Sequence, residues 1–152
     1  MAQSQGWTVN LHDDDGDILE TRVYSAADSS KLASSVHYIY ARGGSLAASV
    51  RYDYRSEDGV VEYHTNSYFT SGRLVRRSIF SSDEVLVYEE QFRYDRHGRL
   101  VRRKAVAYDG AYQTRTLEKR TYTGSRCHAK VFHDGQLIYD NSFETTTDET
   151  QQ

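Results

Sequence analysis

Proline is missing altogether from this chain of 152 residues, where average usage would place about seven or eight. Every residue after the first therefore keeps a backbone N–H, as a densely paired sheet requires. A single cysteine, Cys127, excludes an internal disulfide framework and has no metal-ligand spacing around it. That suits a reducing compartment, and a soluble cytoplasmic protein is the expectation. The first residues, Met1 to Gly6, show no basic segment followed by an apolar run, so no signal peptide is read there. No apolar run approaches membrane-spanning length, which argues against a membrane partner.

The motifs of chemistry are scarce too. No nucleophile elbow, P-loop or dinucleotide fingerprint occurs, so no cofactor is expected. Asp13-Asp14-Asp15-Gly16-Asp17 looks at first like a calcium loop. With Gly16 in sixth place, however, Leu11 would be first and Arg22 last, where an EF-hand needs acids. The run reads instead as an acidic hairpin turn. Histidines at 12, 37, 64, 97, 128 and 133 give no zinc-site pair on one strand, and no metal is expected. Cys127 and His128 are adjacent, so on a strand they face opposite ways and form no nucleophile–base pair.

What the chain does have is tyrosine, thirteen of them, and a recurring turn. In Tyr94-Asp95-Arg96-His97-Gly98-Arg99-Leu100 an aromatic closes one strand, a polar turn reaches glycine, and an aliphatic residue starts the next. Glycine belongs there because short hairpin loops demand a residue with positive φ. The register recurs at His12 to Ile18, Tyr40 to Leu46 and Tyr68 to Leu74, is altered by one residue at Tyr54 to Val61 and Phe132 to Leu137, and is degenerate at Phe80 to Leu86 and Tyr108 to Thr114. Alternating runs between regular turns predict an all-β protein, an antiparallel up-and-down meander of about ten strands, closed or curled into a barrel. The strands are expected over 6–12, 17–24, 35–42, 45–55, 60–69, 73–81, 85–95, 99–109, 112–123, 126–133 and 136–143. A short helix is expected at 26–35, capped by Ser25. Residues 1–143 read as a single β domain and 144–152 as a disordered acidic tail.

The segment Tyr94 to Leu100 resembles the YD repeat of Rhs-type bacterial proteins, Tyr-Asp, two residues, then Gly-Arg-Leu. The other copies keep the aromatic, glycine and aliphatic positions but mostly lose the aspartate. The resemblance implies hairpin architecture and a bacterial source, with no implied toxin activity.

Counting in twos from the aliphatic residue after each turn assigns one face of the sheet. Its strands begin with Leu or Val and finish with Phe or Tyr, with a polar middle. In a closed barrel that middle becomes a cavity lined by Tyr63, Arg76, Tyr88, Glu90, Arg102, Lys104, Glu118, Arg120, His128 and Tyr139. Glu90 and Glu118 would offset Arg76, Arg102, Lys104 and Arg120, leaving positive charge for an anionic or carbonyl-bearing ligand. The expected function is therefore binding of a small polar or amphipathic molecule. An alternative is a cyclase- or isomerase-type barrel enzyme with Glu90, Glu118 or His128 as acid–base groups. A third reading is a bacterial interaction or immunity module that uses a sheet face or edge, with a homo-oligomer as one way to cover it. Residues 73–130 hold fourteen Lys/Arg against seven Asp/Glu, and the flanks five against fifteen. Because acids interleave the basic band, and the net charge is −3, the balance argues against nucleic acid.

Overall fold

The computed structural model describes residues 6–145. All its regular structure is strand: β1 (Thr8–His12), β2 (Ile18–Tyr24), β3 (Leu32–Tyr40), β4 (Leu46–Tyr54), β5 (Val61–Thr70), β6 (Arg73–Ser81), β7 (Leu86–Tyr94), β8 (Leu100–Asp109), β9 (Tyr112–Thr123), β10 (Arg126–His133) and β11 (Gln136–Glu144). The order is up-and-down and antiparallel throughout, as the turn spacing predicts. It ends at β1 and at β11, so the expected closure into a barrel is not made among the described residues. The chain divides into two compact units, one up to Leu86 and one from Val87.

Four loops share one geometry, which explains the repeat. In each, the first residue's N–H donates to the carbonyl four residues on, and the fourth residue's N–H donates back to the first carbonyl. The pairs are Asp13/Asp17 with Gly16, Ala41/Ser45 with Gly44, Ser81/Val85 with Glu84, and Asp95/Arg99 with Gly98. This is the three-residue hairpin loop ending in a left-handed bulge residue. Gly16, Gly44 and Gly98 supply that residue with φ of 92°, 85° and 78°, and Glu84 adopts 60° without glycine's freedom. Where aspartate comes first, its carboxylate braces the loop. Asp13 Oδ1 accepts from the N–H of Asp15 and Asp17, and Asp95 Oδ1 from those of His97 and Arg99. Arg99 adds a guanidinium bond to Asp95 Oδ2 at 2.8 Å.

Tyrosines lock the strand that leaves such a loop. Tyr40 donates its hydroxyl to the carbonyl of Ile18, and Tyr122 to that of Leu100, each at 2.7 Å. In both cases the accepting residue is the aliphatic one just after the turn, so the motif and the tyrosine content serve one device.

The expected helix at 26–35 is absent. Residues 32, 34 and 35 pair instead with Tyr24, Val23 and Arg22 of β2. Ser25 does accept a backbone bond, from Ala27, but it closes a local turn. Asp28 then holds Ser30 and Lys31 in a second turn, so no helical ladder begins. The tail expected over 144–152 lies outside the described residues except for Glu144, which ends β11, and Thr145, which bonds to Ser125.

Neither unit contains a helix or a second sheet among its described residues. The buried residues are accordingly few and, Glu90 apart, small: Ala105, Cys127 and Ala129, with Ser34, Ser35, Ser67 and Ser78.

Candidate functional site

Pairing registers decide which side chains share a face, because directly opposite residues in an antiparallel ladder point the same way. In the second unit Glu90 lies opposite Ala105, Ala105 opposite Thr116, and Glu118 opposite both Arg103 and Val131. Tyr88, Glu90, Arg103, Glu118, Arg120, Tyr122, Cys127, Ala129 and Tyr139 thus form one face. Arg93, Arg102, Lys104, Lys119, His128 and Lys130 lie on the other, together with Glu89 and Asp140.

The acid-bearing face is satisfied internally. Glu90, only 4% exposed, accepts Arg103 Nε at 2.9 Å and the Tyr88 hydroxyl at 3.1 Å. The Tyr88 oxygen in turn accepts from Arg103 at 2.8 Å. Burial, reinforced by the Glu90 charge, pushes the Tyr88 phenol up. Burial is the largest single influence on Arg103 and works against its charge, but the bonds and charges of Glu90 and Tyr88 together outweigh it and hold the guanidinium more firmly protonated than usual. Glu118 accepts Arg120 Nε at 2.8 Å.

The basic face has the opposite character. Arg93 stands directly opposite Arg102, Arg102 opposite Lys119, and Lys119 opposite Lys130. Four cations thus cross four strands in one row, with neighbouring Cβ atoms about 5 Å apart, an arrangement that is unfavourable without a counter-charge. Lys130 reaches Asp140 at 3.9 Å, and Asp140 also bonds His128. The His128 bond holds the Asp140 carboxyl below the usual carboxylate range despite some desolvation. No carboxylate among the described residues comes within 4.0 Å of Arg93, Arg102, Lys104 or Lys119. Arg102 Nε is buried and meets no acceptor there.

Beside the row runs a trough of about 570 Å³ lined by Arg102, Lys104, Val106, Leu117, Lys119 and Phe132, among others. Two smaller depressions, about 460 and 130 Å³, lie along Arg93 and Arg102. Arg102 is common to all three. Lys119 sits over the Phe132 ring, 5.6 Å from its centroid, so the trough has a cationic side and an apolar side.

The ten residues expected to line one cavity are therefore divided. Tyr88, Glu90, Glu118, Arg120 and Tyr139 share the acid-bearing face, whereas Arg102, Lys104 and His128 share the basic one. In the first unit Tyr63 and Arg76 occupy opposite faces, since Tyr63 pairs with Ser81 and Arg76 with Tyr68. The cause is the bulge at the hairpins: each extra residue shifts the alternation, so counting in twos loses parity from strand to strand. Glu90 and Glu118 are engaged with arginines while His128 points the other way, so these acid–base candidates do not converge. Arg93, Lys119 and Lys130 were not expected to line the site; their strands' basic content was the only available signal.

The first unit carries a different row. Tyr52 lies opposite His64 and His64 opposite Phe80. His64 stacks on Phe80 with centroids 4.8 Å apart, and Tyr52 contacts His64 and His37 at 6.1 and 5.9 Å. Among the described residues no group of three or more His, Cys, Asp or Glu is placed to hold a metal ion, and no helix is long and apolar enough to cross a membrane. No protein-family model matches the chain, and no curated protein matches it in sequence.

Proposed function

We propose that the second unit binds a small amphipathic anion on its basic face. The observation that carries this reading is the row Arg93–Arg102–Lys119 with no carboxylate in reach, set beside an apolar strip of Val106, Leu117 and Phe132. Like charges held opposite each other cost stability, and an anion in the trough relieves that cost. Glu90 and Glu118 lie on the other face, bonded to Arg103 and Arg120. Of the acids on the basic face, Asp140 is paired with His128 and Lys130, while Glu89, opposite Val106, does not come within 4.0 Å of the row. Calorimetric titration of the full chain with short-chain anionic amphiphiles tests the proposal. Binding should weaken about tenfold in Arg102→Gln, a loss typical of one charge-assisted contact, and should fall with added salt. Salt-independent binding, or full affinity in Arg102→Gln, would remove the assignment.

A second reading is an interaction role for β11 as an edge that takes an extended segment of a partner protein as an added strand. All nine of its residues are exposed, with Leu137, Ile138, Tyr139 and Phe143 among them. It contains neither lysine, arginine nor proline to blunt the edge. Replacing Ile138 with Lys should abolish capture of a bound partner and leave anion binding alone. The loop chemistry of Asp95 and Arg99 also supports our reading of Tyr94 to Leu100 as a YD-type hairpin.

A further inference from the structure

We infer that the anionic group recognised on the basic face is a phosphomonoester, seated at Arg102 between Arg93 and Lys119 with its organic part along Leu117 and Phe132. This rests on the proposed anion-binding role of the trough and names the ligand's chemistry.

Charge count is the first argument. Lys130 is already paired with Asp140, yet no carboxylate among the described residues comes within 4.0 Å of Arg93, Arg102, Lys104 or Lys119. A carboxylate, sulfate monoester or phosphodiester brings one negative charge to this group. A phosphomonoester brings about −1.5 to −2 at neutral pH and three strong acceptor oxygens. Geometry is the second. Arg102 lies opposite a cation on each side, Arg93 across one ladder and Lys119 across the next, and Lys104 is two residues along its own strand. A compact tetrahedral group on Arg102 thus meets cations from three directions. Its fork suits two oxygens at once, and its buried Nε–H meets no acceptor. The third argument is continuity. Arg102 lines all three depressions, and the largest of the three is also lined by Lys119, Leu117 and Phe132, which suits an ester whose organic part is apolar.

The test titrates the full chain with hexyl phosphate, hexyl sulfate and heptanoate, which share an apolar part and differ in headgroup. At pH 7.5 and fixed ionic strength, hexyl phosphate should bind about tenfold tighter than either monoanion. At pH 5.0, below the phosphate's second pKa of about 6, that preference should shrink to within about threefold. Arg102→Gln should erase the preference, and Lys119→Gln should reduce it; urea denaturation of both variants establishes that they fold. Equal affinity for the three headgroups, a preference unchanged at pH 5.0, or a preference surviving in folded Arg102→Gln overturns the phosphomonoester and leaves an anion site. If none of the three binds, the anion site itself falls.

Discussion

A row of side chains crosses several strands in each unit, and the two rows differ in what they do for the fold. In the first unit Tyr52, His64 and Phe80 lie opposite one another across β4, β5 and β6, with His64 stacked on Phe80. Such aromatic pairs stabilise a sheet by about 0.2–1 kcal/mol each. In the second unit the corresponding row is Arg93, Arg102, Lys119 and Lys130, and each contact is between like charges. The hairpin scaffold is shared, down to the loop hydrogen bonds at Asp13 and Asp95. One row thus adds to the stability of the sheet and the other opposes it, and that difference is why the binding role is proposed for the second.

The comparison requires that the second unit draw its stability from its other face. Removing the centre of that face should have the largest effect. Glu90→Ala strands Arg103 and Tyr88 without their acceptor and should cost about 3 kcal/mol in urea denaturation. Replacing Glu90 and Arg103 together with Leu and Met should recover most of the loss, because the pair's desolvation cost disappears with its charges. If Glu90→Ala is neutral, the acid-bearing face is not the anchor.

The shared scaffold can be sharpened at Glu84, which holds φ at 60° where the equivalent loops have glycine. A Cβ in the left-handed region costs about 1–2 kcal/mol, so Glu84→Gly should raise stability by about 1 kcal/mol. An unchanged urea midpoint would mean that this loop relaxes into another geometry.

The rows themselves come next. Phe80→Ala should cost about 1 kcal/mol and loosen amide protection in β5 and β6. Lys119→Ser should cost nothing, or gain a few tenths of a kcal/mol, while weakening anion binding. A substantial loss of stability in Lys119→Ser would put the basic row on the same footing as the aromatic one.

Much of this fold was legible in the sequence because its repeat is a turn, and turn chemistry is local. Gly98 and Asp95 announce the loop through φ and through the bracing carboxylate, and the strands between loops follow. The stretch after Ser25 misled, because Ala26, Ala27, Leu32 and Ala33 suit a helix locally, yet pairing with β2 claims residues 32–35. Faces were less legible than strands. Whether Glu90 meets Arg102 or Arg103 depends on one extra residue, Val101, between Leu100 opposite Tyr94 and Arg102 opposite Arg93, and bulges do not show in a period-2 count. The site inherits that error: the two-residue count places Glu90 and Glu118 beside Arg102 and Lys104, whereas the register puts these two acids on the face of Arg103 and Arg120 and leaves Arg102 and Lys104 on the other. Closure was illegible for a related reason. A period-2 count reports only neighbouring strands, and closure turns on whether β1 meets β11, the two strands at which the order ends.

The smallest predicted effect concerns alkaline pH, where the units differ again. Burial raises the phenols of Tyr88 and Tyr122 in the second unit and of Tyr40 in the first. A phenol with a raised native pKa keeps its proton when the unfolded chain releases one near pH 10. The unfolded state then binds fewer protons, so stability falls as pH climbs through and beyond 10, and the contribution is fully present below it. Two of these phenols belong to the unit that carries the cationic row, so amide protection in β7 to β11 should decline more between pH 9 and pH 11 than protection in β1 to β6. Tyr122→Phe also removes the bond to the Leu100 carbonyl, so its overall stability drops at every pH. The informative quantity is therefore its slope, which should be shallower than that of the unchanged chain above pH 10. An identical slope would show that the Tyr122 phenol titrates as in the unfolded chain, and would leave Tyr88, bonded to Glu90 and Arg103, as the sole alkaline liability of that face.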